Sequence, residues 1–533
     1  MKRNKLIIAV YLQFILLITI IICSSQFSLN GISITSASGA ELSSKYTLWA
    51  SHGTAICTAG NNQYYPQICS DGSGGAIITW QDERAGGMSD DIYVQRIDST
   101  GAVKWTDNGT AICTEDYSQG IPQICSDGAG GAIITWVDYR TGGDPDIYAQ
   151  RINSSGGIEW TSNGTAVCTE LYYQMLPQIC SDGAGGAIIT WVDNRLIGWQ
   201  IYAQRINSNG GIEWTGNGTI ICTADPSQFN HQICSDGAGG AIITWCDSRG
   251  TDDDIYAQLI DSTGAVKWTS NGTAICTAGN NQQMPQLCSD GSGGAIITWQ
   301  DERAGGTSDD IYAQRINSTG AVKWTGNGTA ICTATFNQSE PQLCSDGTGG
   351  AIITWSDYRI GSNDIYAQRI NSSGGIEWTS NGTAICTAAF AQSKPQLCND
   401  SGGGAVITWQ SERIGGIWDI YAQRIDLMGA IRWTSNGIVI CKAANNQYDP
   451  QICSDGAVGA IVTWCDERSG TNSDIYVRHV RPGEFPWYLL FLLLLGQPEE
   501  GIIEILFSLL GLLVITGIIF VVITVVVVNK KRK

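Results

Sequence analysis

The chain has 533 residues, of which 65 are Gly, 12 are Pro and only 15% are charged. This composition is typical of a turn-rich all-β protein and excludes a disordered chain. The formal net charge of −19 argues against nucleic acid as a partner, because an acidic surface repels a phosphate backbone.

Residues 1–40 have the order of an export signal. A basic start at Met1–Lys5 is followed by an apolar run from Leu6 to Cys23. The small residues from Ser36 to Ala40 then suit cleavage by a signal peptidase. The apolar run is also long enough to remain in a bilayer, so a retained signal anchor is the alternative.

A repeated motif fills residues 41–482. Its first copy runs from Pro66 to Trp80 around a Gly-rich turn and closes on Asp82 and Arg84. The final Trp recurs every ~55 residues, a period that is typical of propellers and solenoids. Its eight copies are Trp80, Trp136, Trp191, Trp245, Trp299, Trp355, Trp409 and Trp464.

Each copy contains four segments with strand character, which we label a to d in chain order. In the second copy, strand a is Pro122–Ser126, and a Gly-rich turn leads to the β-branched strand b, Ala132–Trp136. Strand c, Asp146–Ile152, alternates apolar and polar residues, and Ile158–Thr161 follows a second tight turn as strand d. A four-stranded meander of this kind is a propeller blade, and Gly interrupts every apolar run that could form a helix.

The two ends of the repeat region predict a closed ring. The eighth copy ends after strand c at Val480, whereas Tyr46–Trp49 resembles a strand d that has no blade of its own. Pairing these two would hide the edges that an open array exposes. We therefore predict a single all-β, eight-bladed β-propeller closed by its N-terminal strand. Shared loop sequences in blades 1 and 5, and likewise 2 and 6, 3 and 7, and 4 and 8, indicate a duplicated four-blade unit.

Sixteen of the 19 cysteines form pairs that are twelve positions apart. In an exported protein this regularity favours one disulfide per repeat, worth ~3 kcal/mol each. The alternative is a pair of buried free thiols. It would hold if the first Cys lay on strand d itself, about three strand spacings from strand a, because a disulfide cannot reach that far. The predicted pairs are Cys57–Cys69, Cys113–Cys125, Cys168–Cys180, Cys222–Cys234, Cys276–Cys288, Cys332–Cys344, Cys386–Cys398 and Cys441–Cys453.

An Asp-x-Arg pair follows strand b in seven copies, and blade 7 has Ser411 in place of the Asp. A group repeated around a ring is typical of blade construction, so we interpret the pairs as clamps of the b–c loop. The pairs are Asp82/Arg84, Asp138/Arg140, Asp193/Arg195, Asp247/Arg249, Asp301/Arg303, Asp357/Arg359 and Asp466/Arg468.

No constellation in the sequence predicts a catalytic residue or a metal site. The chain has three His residues, His52, His231 and His479, and none shares a motif with a nucleophile. We predict no cofactor, with calcium held by loop carboxylates as the alternative.

The d–a and b–c loops differ most between copies, and a meander places both on one face of the disc. Many of these loops carry aromatic residues beside Asn or Gln, which suit a sugar or a protein surface. The alternative is that each aromatic packs under its own loop. The candidate ligand-binding residues are Tyr64, Tyr65, Tyr117, Tyr172, Tyr173, Trp199, Phe229, Phe336, Phe390, Trp418 and Tyr448.

The C-terminal part predicts a membrane anchor. Residues 483–504 form a juxtamembrane segment, 505–528 a transmembrane helix, and 529–533 a basic tail that the positive-inside rule places in the cytoplasm. The propeller would then be extracellular at the cell membrane. The alternative is a sorting signal of a prokaryotic surface protein, whose helix would be removed.

The repeats resemble a group of secreted or surface β-propeller proteins of bacteria and archaea, akin in architecture to sialidase-like and TolB-like propellers. The resemblance rests on the motif Ser-Asp-Gly-x-Gly-Gly-Ala-Ile-Ile-Thr-Trp-x-Asp-x-Arg and the later Asp-Ile-Tyr-Ala-Gln-Arg-Ile. The sialidase Asp-box spacing is absent, because Ser70 stands too far from Trp80.

This resemblance implies a fold rather than an activity. Our first hypothesis is a binding or adhesion module whose partner is a glycan or a surface protein. The alternatives are a glycosidase or polysaccharide lyase with its site at the channel mouth, and a structural component of a surface layer.

Overall fold

The structure, a computed structural model, describes residues 49–86, 89–305, 308–414 and 416–481, without the side chains of 413 and 414. The predicted segments 1–40, 483–504, 505–528 and 529–533 lie outside the described residues. Within the described ranges every regular element is a strand, and no helix is long and apolar enough to cross a bilayer.

The described residues form eight antiparallel sheets of four strands, which are the eight predicted blades. Blades 1 and 2 contain β2 Gln63–Ser70, β3 Ala76–Asp82, β4 Asp91–Ile97, β5 Thr110–Cys113, β6 Gln119–Ser126, β7 Ala132–Asp138, β8 Asp146–Ile152 and β9 Thr165–Cys168. Blades 3 and 4 contain β10 Gln174–Ser181, β11 Ala187–Asp193, β12 Gln200–Ile206, β13 Thr219–Ile220, β14 Gln228–Ser235, β15 Ala241–Asp247, β16 Asp254–Ile260 and β17 Thr273–Cys276.

The second half of the ring repeats this arrangement. Blades 5 and 6 contain β18 Gln282–Ser289, β19 Ala295–Asp301, β20 Asp310–Ile316, β21 Thr329–Cys332, β22 Gln338–Ser345, β23 Ala351–Asp357, β24 Asp364–Ile370 and β25 Thr383–Cys386. Blades 7 and 8 contain β26 Gln392–Asn399, β27 Ala405–Ile414, β28 Ile417–Ile425, β29 Ile438–Cys441, β30 Gln447–Ser454, β31 Ala460–Asp466, β32 Asp474–Val480 and β1 Thr54–Cys57.

The ring closes through an N-terminal strand, as predicted, but that strand is Thr54–Cys57 rather than the expected Tyr46–Trp49, of which only Trp49 is described. β1 pairs antiparallel with β32, with Thr54 opposite Val477 and Cys57 opposite Ile475. The first strands of neighbouring blades contact one another all around the ring, including β2 with β30, so strand a is innermost and strand d outermost.

The identity of strand d differs from the prediction. The outer strand is the Thr-Ala-Ile-Cys segment, whereas the predicted Ile158–Thr161 segment forms only one isolated bridge, between Ile152 and Ile158. The Trp of that segment turns instead to the next blade, where Trp160 Nε1 donates to Ser208 O at 3.1 Å. The apolar alternation of this segment therefore reflects contact between blades rather than sheet pairing.

The hydrophobic core consists of eight clusters, one at each interface between neighbouring blades. Strand b is buried on both faces, because Ile77 joins the cluster with blade 2 and Ile78 the cluster with blade 8. The eight Trp residues that end the motif are fully buried. Each blade thus contributes to two clusters, and no blade has a core of its own.

Because neighbouring strands are antiparallel, the a–b and c–d turns lie on one face of the disc, and the b–c and d–a loops lie on the other. Strand a begins, and strand b ends, on the face that carries the variable d–a and b–c loops, which we call the variable face. The chain enters at Trp49 and leaves at Arg481 beside the c–d turns on the opposite face, where Trp49 Nε1 donates to Ser99 O at 3.4 Å.

Candidate functional site

The predicted Asp/Arg clamps are all present in the structure. In blade 1, Asp82 accepts hydrogen bonds from Arg84 Nε at 2.9 Å and Nη2 at 2.6 Å, and also from Trp80 Nε1 at 2.7 Å. The guanidinium lies 3.6 Å above the Tyr93 ring and donates to Asn108 O at 2.6 Å. With the Arg84 backbone N–H as a further donor at 2.9 Å, the buried carboxylate has its acceptor sites occupied within the blade, which fits a structural clamp.

Blade 7 lacks the clamp. Ser411 stands where the other blades have Asp, and both its hydroxyl and Trp409 Nε1 are buried without a hydrogen-bond partner among the described residues. An unpaired buried polar group costs about 1–3 kcal/mol. Blade 7 is therefore a weak point of the ring.

Ser411→Asp is expected to stabilise the protein by about 1–2 kcal/mol. The new carboxylate would accept from Trp409 Nε1, and Arg413 follows at the sequence spacing of the other seven clamps. The measurement is the urea midpoint of the full-length chain. Ser411→Asn is the matched control, since it offers an acceptor without a charge and should gain less. An unchanged midpoint for both would show that the clamp has little energetic effect.

A second carboxyl group lies opposite the clamp Asp on strand c, as in the pair Asp82 and Asp91. Burial, together with repulsion by the clamp Asp, raises the pKa of this group to about 6 in six blades. In blade 6 both oxygens of Asp364 are buried and have no partner within the described residues. Blade 3 has the neutral Gln200 at this position, where it donates to Ile197 O at 2.6 Å.

We expect the protein to be more stable at pH 5 than at pH 7.5. A carboxyl whose folded pKa lies above its unfolded value of 3.8 favours folding fully below pH 4, and this contribution is lost as pH rises through 6. Asp364 faces both Asp357 and Arg359, and its Asn variant should raise the melting temperature at pH 7.5 but not at pH 4.5.

Asp98→Asn is the control of opposite sign. Local hydrogen bonds from the turn and Lys104 outweigh burial there and lower the pKa of Asp98 to about 2. Loss of the Asp98 carboxylate should therefore destabilise the protein at neutral pH. Equal melting temperatures for Asp364→Asn and the parent chain at both pH values would contradict the assignment.

The opposite face has a second Asp/Arg set that the sequence interpretation missed. Asp71 in the a–b turn accepts from Arg96 Nη2 at 2.9 Å, and the same Arg donates to Ser154 O of blade 2 at 2.8 Å. Blade 8 uses His479, 2.8 Å from Asp455, in place of Arg. The signal was available, because this Asp and the Arg of Gln-Arg-Ile recur together in six blades, whereas blade 4 has Leu259 in place of the Arg.

The structure does not contain the predicted disulfides. All 18 described cysteines are free thiols. The first member lies on strand d in seven pairs, as Cys57 does on β1, and Cys222 lies two residues beyond the end of β13. The second member lies on strand a of the next blade, as Cys69 does on β2. This is the geometry that a disulfide cannot span. Instead Cys57 Sγ lies 3.1 Å from Arg84 Nη2 beside the clamp, where burial raises its pKa to about 12.

The predicted ligand-binding residues separate into two groups. Tyr64, Trp199, Phe229, Trp418 and Tyr448 are partly buried, and Tyr448 donates its hydroxyl to Ser473 Oγ at 3.0 Å. The exposed members, all on the variable face, are Tyr65, Tyr117, Tyr172, Tyr173, Phe336 and Phe390.

Four of the exposed aromatics occupy one structural position, two residues before the buried Gln that begins strand a. Tyr117, Tyr172, Phe336 and Phe390 are 57%, 55%, 60% and 49% exposed, and their φ angles are 64°, 72°, 65° and 70°. The same position holds Asn in blades 1, 5 and 8, also at positive φ. Asn tolerates this left-handed region, whereas an aromatic side chain is strained there.

We call Tyr117 with Tyr172 the 2/3 platform, and Phe336 with Phe390 the 6/7 platform. Each pair lies on two adjacent blades, and the two pairs lie on opposite sides of the eight-blade ring. The strand-a Gln holds each loop from below, as Gln174 Nε2 donates to Tyr172 O at 2.7 Å and Gln338 Nε2 to Phe336 O at 2.7 Å. The strained backbone is therefore fixed before any ligand arrives.

A second variable position surrounds the mouth of the central channel. A bulge in every strand a places the residue before the motif Pro, or before His231 in blade 4, at φ between 50° and 55°. We call these eight residues the mouth ring: Tyr65, Ile121, Leu176, Asn230, Met284, Glu340, Lys394 and Asp449. Its members in blades 2 and 3 are apolar, and those of blades 6 to 8 are charged. The sequence interpretation missed this ring, although it is a variable position beside an otherwise repeated motif.

The charged part of the mouth ring lines a cleft of about 340 Å³ that spans blades 6, 7, 8 and 1. Lys394 Nζ contacts the Asp449 carboxylate, and Glu340 Oε2 accepts from Lys394 N at 2.9 Å and from Ser356 Oγ at 2.9 Å. The described residues contain no group of three or more His, Cys, Asp or Glu side chains that could hold a metal ion.

No protein-family model matches the chain, and no curated protein matches it significantly. Solved structures similar to it include a Dyadobacter fermentans protein of unknown function, at 9% identity and a TM-score of 0.39, covering 81% of this chain and 98% of that one. An ulvan lyase shares 10% identity at a TM-score of 0.41, covering 79% and 94%. An α-L-arabinofuranosidase from Fusarium graminearum shares 10% identity at 0.34, covering 58% and 94%. At these values the similarities carry no inference about activity.

Proposed function

We propose that the protein is a glycan-binding module displayed at the cell surface, with the 2/3 and 6/7 platforms as its contact sites. The observation that carries this proposal is the strained backbone of four exposed aromatics at a position where three other blades have Asn. Strain of this kind persists where the surrounding structure enforces it and clusters at binding sites. Exposed aromatic rings with polar neighbours can stack on a sugar ring while nearby amides and carboxylates bind its hydroxyls.

The position at which the described chain ends supports an outward orientation of the variable face. The described chain leaves the ring at Arg481 on the face opposite the platforms. A membrane segment at 505–528, as the sequence predicts, would tether that opposite face. The platforms would then point away from the cell, toward extracellular glycans.

The test is binding of the full-length chain, purified in detergent, to a panel of soluble and insoluble polysaccharides. A variant with Asn at all four platform positions should bind at least about 100-fold more weakly. The same variant should be more stable by a few tenths to about 1 kcal/mol per site, because Asn relieves the left-handed strain. Asn280→Gly is the control at the equivalent position of blade 5. Undiminished binding by the four-site variant would refute the proposal.

A second candidate function is glycan cleavage at the channel mouth. The observation that favours it is the presence of two carboxylates, Glu340 and Asp449, on either side of Lys394 in one cleft. Paired carboxyl groups supply the acid and base of glycoside cleavage. Release of new reducing ends from a polysaccharide by the full-length chain, and its absence in Glu340→Gln, would support this candidate.

A further inference from the structure

The cleft at the channel mouth has properties that the platforms lack. The platforms repeat across the ring, whereas the mouth ring breaks this symmetry, with Ile121 opposite Glu340 and Leu176 opposite Lys394. The cleft therefore exists in a single copy. Its volume of about 340 Å³ lies within the usual range of small-ligand pockets, roughly 300–1,000 Å³.

The charges in the cleft leave an excess of one carboxylate. The ammonium of Lys394 is neutralised by Asp449, and both side chains are partly exposed. Glu340 is held in place through Oε2, whereas its Oε1 has no hydrogen bond to the described residues and is free to accept one. A positively charged group on a ligand would pair with the remaining carboxylate, whereas an anionic ligand would be repelled by it.

The remaining lining of the cleft suits a sugar. Gln67, Gln342, Gln396 and Gln451 line it from four successive inner strands, and their half-exposed amides make no hydrogen bond within the described part of the chain. Amide groups donate to and accept from hydroxyls. Tyr65, which is 55% exposed, provides an aromatic wall beside them.

We propose that the channel mouth is a binding site for a saccharide that carries a protonated amine, such as a glucosamine unit. The ammonium would pair with Glu340, the hydroxyls would bond the Gln amides, and the ring would lie against Tyr65. This inference goes beyond the platforms and does not rest on them.

The test compares chitosan tetrasaccharide with its N-acetylated counterpart, which has the same rings without the charges. At the channel mouth the full-length chain should bind one molecule of the charged form, roughly tenfold more tightly than the N-acetylated form, and Glu340→Gln should abolish that preference. The four-site platform variant is the matched control and should retain it, which separates failure of this inference from failure of the proposed function.

Three results would overturn the inference. The first is equal affinity for the two tetrasaccharides, and the second is an unchanged preference in Glu340→Gln. The third is displacement of the sugar by a trilysine peptide that binds as tightly as the charged tetrasaccharide. The last result would assign the cleft to a basic protein segment, because the sugar hydroxyls would then contribute nothing.

Discussion

Replacing Asp138 with Ser is expected to lower the free energy of unfolding by about 3–5 kcal/mol. The substitution removes the acceptors of Arg140 Nε at 2.9 Å and Nη2 at 2.6 Å, and of Trp136 Nε1 at 2.7 Å. The Asp138 side chain is wholly buried and that of Arg140 is only 17% exposed, so water can replace little of what is lost. Urea denaturation of the full-length chain measures the effect.

Lys104→Ala provides the control for this experiment. Lys104 pairs with Asp98 at 3.3 Å, but its side chain is 44% exposed, and exposed pairs contribute about 0–1 kcal/mol. A loss for Asp138→Ser no larger than for Lys104→Ala would mean that the clamps do not stabilise the blades. Blade 7 shows that the ring tolerates one missing clamp, so we expect the variant to fold.

Removing one platform is expected to weaken binding to a long polysaccharide by about 100-fold or more. Two sites on opposite sides of a rigid ring can hold one polymer at two points, and the second contact benefits from a high effective concentration. The expectation rests on the proposed glycan-binding function. The variants are Tyr117→Asn with Tyr172→Asn, and separately Phe336→Asn with Phe390→Asn.

Titration with short oligosaccharides measures how many binding sites each ring has. The parent chain should bind two per ring at the platforms, whereas either double variant should bind one with an unchanged dissociation constant. Isothermal titration measures both quantities. A double variant that loses all binding of a short oligosaccharide would show that the two platforms form one composite site instead.

The fold could be predicted because its information is local and repeated eightfold. The buried strand b, the Gly-rich turn before it and the Asp/Arg clamp after it all lie within one motif. Strand d could not be assigned in this way, because the segment around Trp160 and the segment ending at Cys168 are both short and apolar. Pairing with strand c decides between them, and it also decides that Cys57 and Cys69 are too far apart to bond.

The candidate sites were only partly predictable for a related reason. The loop aromatics stood out as residue types, but a positive φ at Tyr117 or Ile121 contradicts the ordinary preference of those residues. The surrounding loop and the bulge in strand a impose it, and neither is visible in local sequence. The charged cleft was missed because its members, Glu340, Lys394 and Asp449, are more than fifty residues apart in the chain.

Ring closure pairs the first described strand to be synthesised, β1, with the last, β32. Thr54–Cys57 is synthesised first among the strands, and its partner Asp474–Val480 is synthesised last. Blades 1 to 7 can form during synthesis, but the ring cannot close until Asp474–Val480 has been made. A chain that ends before Asp474 would lack β32, so the edges of β1 and β31 that pair with it would be exposed and prone to aggregation. The fold therefore makes synthesis as far as Val480 a condition of ring closure.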